Sequence, residues 1–372
     1  MMGSVLRGMG MIGALGSALA LFWTQASAAI PAEPETPPAL ALIASTTIPR
    51  GTRFHGIPVG GLSGLDRLPD GRYLAISDDK GDGRPPRYYE LAITLDPTRH
   101  MMDVRIEKQV FLRDAQGVLF PTDHAVVDPE AIRYAAGGHV YWSSEGTWNA
   151  DPARRIQPGL YEGDAKGRIM RSFSLPSAYL YDDNRTHGAV SNGVLEGLAV
   201  GRHGMVYAVN EDPAYEDRPA VTAVDAPALH RLTSFDPKTG RPVRQYVYAV
   251  PDARYSVSEL LAVDDRHFLS IERVLPFDAK QGVQARIVLS SITDRTSDVL
   301  SCTALPSCPA VPMTRRILLD LPGRYDGVTI DNLEGMAWGP RLKDGRRTLI
   351  VEADDNFSKD EVSQFLAFAW TQ

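Results

Sequence analysis

The sequence predicts an all-β fold: a β-propeller of five blades, with six as the alternative, closed by a strand from the N-terminal part of the chain. A hairpin-like unit recurs five times. In each, a polar or acidic residue opens a short apolar run, a turn follows, and a second run ends on another acidic residue. The units start at 63, 130, 196, 259 and 334, a near-constant period that marks a repeat architecture. Most periods also leave room for two more strand-like segments, and four strands are the content of one propeller blade. Amphipathic helical periodicity is weak throughout.

Residues 1–28 read as a secretory signal peptide. Arg7 supplies positive charge, Gly8 to Trp23 is largely apolar, and Ala26-Ser27-Ala28 offers a cleavage site. The apolar run is too short and wrongly flanked for a membrane anchor, and no Cys follows it to carry a lipid. No later run is apolar for long enough to span a bilayer. Residues 29–38 form a Pro-rich lead-in. The repeats tile nearly all of 39–372, which argues for one propeller domain, expected in the periplasm or secreted, and monomeric.

The first unit runs from Ser63 through the turn Pro69-Asp70-Gly71 to Asp78, with Arg87 to Leu95 and Met102 to Leu112 as outer strands. Two apolar runs joined by such a turn are the signal of a β-hairpin. The second unit runs from Glu130 through Gly137-Gly138 to Glu145, followed by Gly159 to Gly163 and Gly167 to Leu175. The third runs from Glu196 to Glu211, followed by Leu229 to Phe235 and Val243 to Val250. In these three the markers lie 15 residues apart. The fourth, Glu259 to Glu272, spans only 13, and is followed by Ala285 to Ile292 and Arg315 to Leu321. The fifth, Glu334 to Asp354 with Glu352 as the alternative end, spans 20, and Arg341 to Arg347 reads as an insertion. It has one further strand, Gln364 to Trp370, so its outer strand is expected from Leu40 to Phe54. Pairing the two ends of the chain would leave no open sheet edge.

In a hairpin, the start of the first strand and the end of the second share one end. If the hairpins are the inner pairs of the blades, the markers converge at one mouth of the central channel. Glu130, Glu196, Glu259 and Glu334 then form one row, with Ser63 as its uncharged member. Asp78, Glu145, Glu211, Glu272 and Asp354 form a second. So many carboxylates cannot stay ionised side by side without cations, basic partners or protons. An all-oxygen set selects calcium or magnesium, and calcium tolerates irregular geometry. Calcium is therefore the expected cofactor, with Asp78, Glu130, Glu196, Glu259, Glu334 and Asp354 as candidate ligands. Glu145 and Glu211 are candidate general bases. Lys80, Arg87, Arg273 and His187 are candidate substrate-binding groups, since each lies near a marker in sequence. The plainer reading is that these carboxylates accept backbone N–H bonds from neighbouring blades, as structural staples.

Other classes are excluded. Net charge is −7, and no basic stretch is interleaved with aromatics, which argues against nucleic acid. There is no Gly-x-Ser-x-Gly elbow, P-loop, dinucleotide-binding glycine motif or His-Glu-x-x-His. Cys302 and Cys308 form a small disulfide loop or remain two free thiols. The pair argues against zinc, since no His or second Cys pair accompanies it.

In these motifs the chain resembles the exported phytase-like β-propeller family named for the esterase-like activity of phytase. Gly60 to Leu65, Asp70 to Tyr73, Ser77 to Asp79 and Arg87 to Glu90 carry the resemblance in the first repeat. Asp128 to Ile132, Ser144 to Gly146, Leu195 to Leu198, Asn210-Glu211 and Asn332 to Met336 carry it further on. The resemblance implies a propeller, export, and hydrolysis of phosphate or other small esters with calcium. The expected function is thus an exported, metal-assisted hydrolase of a small-molecule ester. A non-catalytic binding or scaffold propeller and a sugar-lactone hydrolase are the alternatives.

Overall fold

The computed structural model describes residues 40–81, 83–219, 226–274 and 282–371. The expected signal peptide, 1–28, and the lead-in, 29–38, lie outside the described residues. Five antiparallel four-stranded sheets form a five-bladed propeller. Blade 1 holds Leu62–Arg67, Tyr73–Ser77, Arg87–Asp96 and Met101–Phe111. Blade 2 holds Pro129–Ala135, His139–Ser144, Gly159–Gly163 and Ile169–Ser172. Blade 3 holds Gly197–Val200, Val206–Val209, Ala228–Asp236 and Arg241–Val250. Blade 4 holds Ser256–Ala262, His267–Val274, Gln284–Ser291 and Thr314–Pro322. Blade 5 holds Asn332–Trp338, Thr348–Asp354 and Gln364–Trp370, and Leu40–Thr47 completes it as the outermost strand.

The first strand of each blade is innermost. These inner strands pack against one another in sequence order, and that of blade 5 returns to that of blade 1. The ring closes by antiparallel pairing of Leu40 with Trp370 through Thr47 with Gln364, which covers the edge that Gln364–Trp370 would otherwise expose. The closing strand is shorter than the sequence suggests. Arg53–Phe54 instead turns back on Ile57–Pro58 as a separate small hairpin.

Blades meet through apolar faces. Leu62, Leu65, Tyr73 and Ala75 of blade 1 interleave with Ala337, Ile350, Phe365 and Ala367 of blade 5. Tyr207 and Val209 of blade 3 do the same with Val257, Leu260 and Phe268 of blade 4. Burying one large apolar side chain contributes ~1.5–3 kcal/mol, so these faces carry most of the gain on folding. Cys302 and Cys308 form a disulfide. Its loop is tied to blade 3: Arg231 donates to the Cys302 carbonyl (3.0 Å) and pairs with Asp217, which accepts from Leu305 N (2.8 Å).

A buried base in blade 3 gives the fold a pH signature. His230 is fully enclosed, with Nδ1 3.2 Å from the Asn210 carbonyl and Nε2 without a partner. Burial pushes its pKa down to about 4. Between pH 6.5 and that value the unfolded chain binds a proton that the folded chain refuses, so stability falls as pH drops through this window. The full window is worth ~3 kcal/mol. His230→Phe is expected to lose less stability than the parent between pH 7 and 4.5 in urea titrations. Equal losses in the two proteins would remove His230 as the cause.

Candidate functional site

In four of the five blades the rim is made by one local device, and in blade 3 Glu196 stands just before a strand in regular register. In blade 1, Leu62 pairs with Ser77 and Gly64 with Ile76, leaving Ser63 as an unpaired bulge residue. In blade 5, Leu333 pairs with Ala353 and Gly335 with Glu352, leaving Glu334. The register of blade 2 likewise shifts between Pro129 and Ile132, around Glu130. A bulge re-aims the side chain it carries and ends regular pairing. The glycine after the marker follows from packing: a Cβ on Gly64 would lie 2.8 Å from the Glu130 carbonyl oxygen.

The same register corrects the fourth repeat. In blade 4, Val257 pairs with Glu272 and Glu259 with Ile271, so the bulge residue is Ser258. The residue after Glu272, Arg273, is then the counterpart of Asp78, Glu145, Glu211 and Asp354. Ser258 to Arg273 spans 15 residues, the spacing of the first three repeats. A one-residue slip turns a strand side chain to the other face, so Glu259 and Glu272 leave the rim. Glu272 accepts from Tyr248 Oη (2.5 Å) and Arg315 (2.7 Å) instead.

Glu259 is part of a plug. Arg133, on the inner strand of blade 2, is buried and donates from Nε to the Leu198 carbonyl (2.6 Å) and from Nη2 to the Leu260 carbonyl (2.7 Å). Its Nη1 donates to the Leu65 carbonyl, and Nη2 lies 2.7 Å from Glu259 Oε2. One guanidinium thus reaches blades 1, 3 and 4 from blade 2, which places it across the propeller axis. Three residues beyond Glu130, ~10 Å along the strand, it closes the channel below the rim. Glu259 also accepts from Leu260 N (2.6 Å) and from Met336 N of blade 5 (3.1 Å). Glu259 is thus occupied by Arg133 and two backbone N–H groups, away from the rim carboxylates.

Above the plug the carboxylates converge. Asp128, Glu130 and Glu145 bring one oxygen each within 4.8 Å of one another, all three residues buried. Asp128 was missed by sequence reasoning, because it lies two residues before the repeated marker. Its only signal was the Asp-Pro-Glu run itself. Ser63 Oγ donates to Glu130 Oε2 (2.9 Å), linking blade 1 to blade 2. Lys80, 44% exposed, pairs with Asp128 Oδ2 at 2.5 Å. On the other side of the ring, Arg273 donates to Glu211 Oε1 (3.1 Å), to Asn332 Oδ1 (2.5 Å) and to Glu334. Glu211 Oε1 also accepts from Ser256 Oγ (2.9 Å).

Protonation records the crowding. Burial, then the Asp128 charge, pushes Glu145 well above the usual carboxylate range. Burial and Glu196 do the same to Glu130, burial and Glu211 to Glu196, burial and Glu334 to Asp78, and burial and Asp78 to Asp354. Asp128 is pushed up by burial to about 6, with Lys80 opposing. Four oxygens of this set are buried without a hydrogen-bond partner: Asp78 Oδ1, Asp128 Oδ1, Glu145 Oε2 and Glu196 Oε2. An unpaired buried carboxylate oxygen costs several kcal/mol, and the triad of Asp128, Glu130 and Glu145 could hold a metal ion.

Besides Glu259, two sequence candidates are not brought to this cup. Arg87 is fully buried and spent on Asp79 Oδ2 (2.7 Å), the Pro58 carbonyl (3.0 Å) and Tyr89 Oη (2.5 Å). His187 is exposed, and its ring contacts Thr186 Oγ1 (3.0 Å). Glu352, two residues from Asp354, is buried below the rim with both carboxylate oxygens unpartnered.

Several solved structures are similar to the chain at low identity. A protein of unknown function from Dyadobacter fermentans is 11% identical, with 90% of this chain and 100% of that chain covered and a TM-score of 0.43. The xylan β-1,4-xylosidase from Bacillus halodurans is 12% identical (83% and 53% covered, TM-score 0.45). The α-L-arabinofuranosidase from Podospora anserina is 10% identical (89% and 98% covered, TM-score 0.43). These likenesses say nothing of this chain's chemistry. No curated protein matches it. The family model described as esterase-like activity of phytase matches residues 57–357, from the first small hairpin to the loop between the second and third strands of blade 5. The chain therefore belongs to the phytase-like family.

Proposed function

We propose that this propeller is an exported, calcium-dependent hydrolase of small esters, working at the closed cup above Arg133. The observation that carries this reading is the buried triad Asp128, Glu130 and Glu145, with one oxygen of each within 4.8 Å of the others, together with the unpartnered buried oxygens on Asp78, Asp128, Glu145 and Glu196. Asp128, Glu130 and Glu145 are the residues that would hold the ion, with Asp78 and Glu196 beside them. Held there, a divalent cation would supply polarisation of an ester oxygen and a more acidic bound water. Assigning Glu145 to the ion leaves Glu211 as the general base, its carboxylate fixed by Arg273 and Ser256. Lys80 offers a partly exposed ammonium at the mouth for a substrate oxygen. The family description, an esterase-like activity, points the same way.

Export is supported by the disulfide, which suits an oxidising compartment. No helix among the described residues is long and apolar enough to cross a membrane. The test is hydrolysis of p-nitrophenyl phosphate, p-nitrophenyl acetate and a δ-lactone, before and after EDTA. Calcium-dependent turnover of at least one is expected, together with a calcium-dependent rise in melting temperature. If all three are left untouched and the melting temperature does not move, a scaffold propeller is the better reading.

A further inference from the structure

We propose that the ring is built for a single divalent cation, and that Arg273 is a covalent substitute for a second. This rests on reading the ring as a cation site and goes beyond it, to the number of ions and their place.

The five related positions at the ends of the second strands hold Asp78, Glu145, Glu211, Arg273 and Asp354. Four are acids and one is an arginine. Around that arginine the oxygens are satisfied. Glu211 from blade 3, and Asn332 and Glu334 from blade 5, all point an oxygen at the blade 4 guanidinium, which is only 5% exposed. Two carboxylates and an amide oxygen converging on one buried positive centre form the donor set that would otherwise surround a hard metal ion. A guanidinium keeps its charge at any working pH and presents several fixed donors, so it can hold that place permanently.

The unmet demand for positive charge lies elsewhere. At the rim, the four unpartnered oxygens belong to blades 1, 2 and 3 and the segment leading into blade 2, while below the rim Glu352 of blade 5 keeps two more. The two halves therefore complement each other. One side is neutralised by the chain's own Arg273, and the other waits for an ion from solution. A chelator can strip the second charge and never the first, so the Glu211–Arg273–Glu334 side keeps its contacts in EDTA.

The test is a calorimetric calcium titration of the full mature chain, with terbium luminescence as an independent count. The parent protein is expected to bind one equivalent. Arg273→Gln, which frees Glu211, Glu334 and Asn332, is expected to bind two, whereas Arg273→Lys keeps the charge and stays at one. Two equivalents in the parent overturn this proposal and leave the hydrolase reading standing. A single equivalent in folded Arg273→Gln also overturns it. No binding at all by the parent overturns both readings. Should Arg273→Gln be unfolded in EDTA, calcium is expected to restore its melting transition, and failure to restore it counts against the proposal.

Discussion

Asp128→Asn is expected to weaken calcium binding at least a hundredfold, about 3 kcal/mol, and to lower ester hydrolysis in step. The substitution keeps the size of the side chain and one oxygen donor. It removes one of the three charges that meet within 4.8 Å, and it releases Lys80, whose ammonium now has no buried carboxylate to hold it at 2.5 Å. Loss of a ligand charge costs more than loss of a hydrogen bond, because the ion's own desolvation is no longer offset. The informative control is Glu259→Gln. Glu259 opens the fourth repeat as the sequence aligns it, yet the structure binds it to Arg133, Leu260 N and Met336 N below the rim. Its calcium affinity should stay within about twofold of the parent, a difference of less than ~0.5 kcal/mol. If both variants lose binding equally, the register assignment of blade 4 is wrong. If neither does, the triad does not hold the ion.

How far the sequence leads differs between fold and site, for a physical reason. Blades are built by periodic apolar packing, and period survives in a linear string. The hairpins, the five-fold count and the strand from the chain start that closes blade 5 all follow from spacing, and the structure has them. Direction does not survive in the same way. In blade 4 the carboxylates Glu259 and Glu272 attract attention because they look like the other repeats. The positions that are equivalent in space hold Ser258 and Arg273, chemically unlike their counterparts. Only the bulge, invisible in the string, sets which neighbour faces the rim. Arg87 shows the same gap. It follows a marker closely, yet its strand turns it inward to Asp79. Asp128 escapes for another reason. It lies outside the repeated unit, so self-similarity gives it no weight, although it completes the metal-sized cluster. A site that breaks the symmetry of a repeat protein is hard to see with a method that relies on symmetry.

Arg133→Met is expected to be the most damaging single change away from the rim, costing about 3–5 kcal/mol in denaturant titrations. Methionine fills much of the same length but donates nothing. The carbonyls of Leu65, Leu198 and Leu260 lose their donor, and Glu259 is left as a buried acid without its counter-ion. A buried group that loses a charged partner costs more than the original bond contributed. Two further measurements separate the parts. In the double variant Arg133→Met with Glu259→Leu, the charge penalty should vanish while the carbonyl penalty remains, so the double variant should be more stable than Arg133→Met alone. The pH dependence should tell the same story. Burial, against the pull of Arg133, already lifts Glu259 to about 7. A carboxyl raised above its unfolded value favours the fold at low pH and loses that contribution as pH rises through the folded pKa. Without Arg133 the pKa climbs further, and the variant's deficit should be smaller at pH 5 than at pH 8. A deficit under about 1 kcal/mol at pH 8 would mean that water reaches the axis and the channel is open. A cup with a solid floor admits substrate from one side only, and that geometry stands or falls with this arginine.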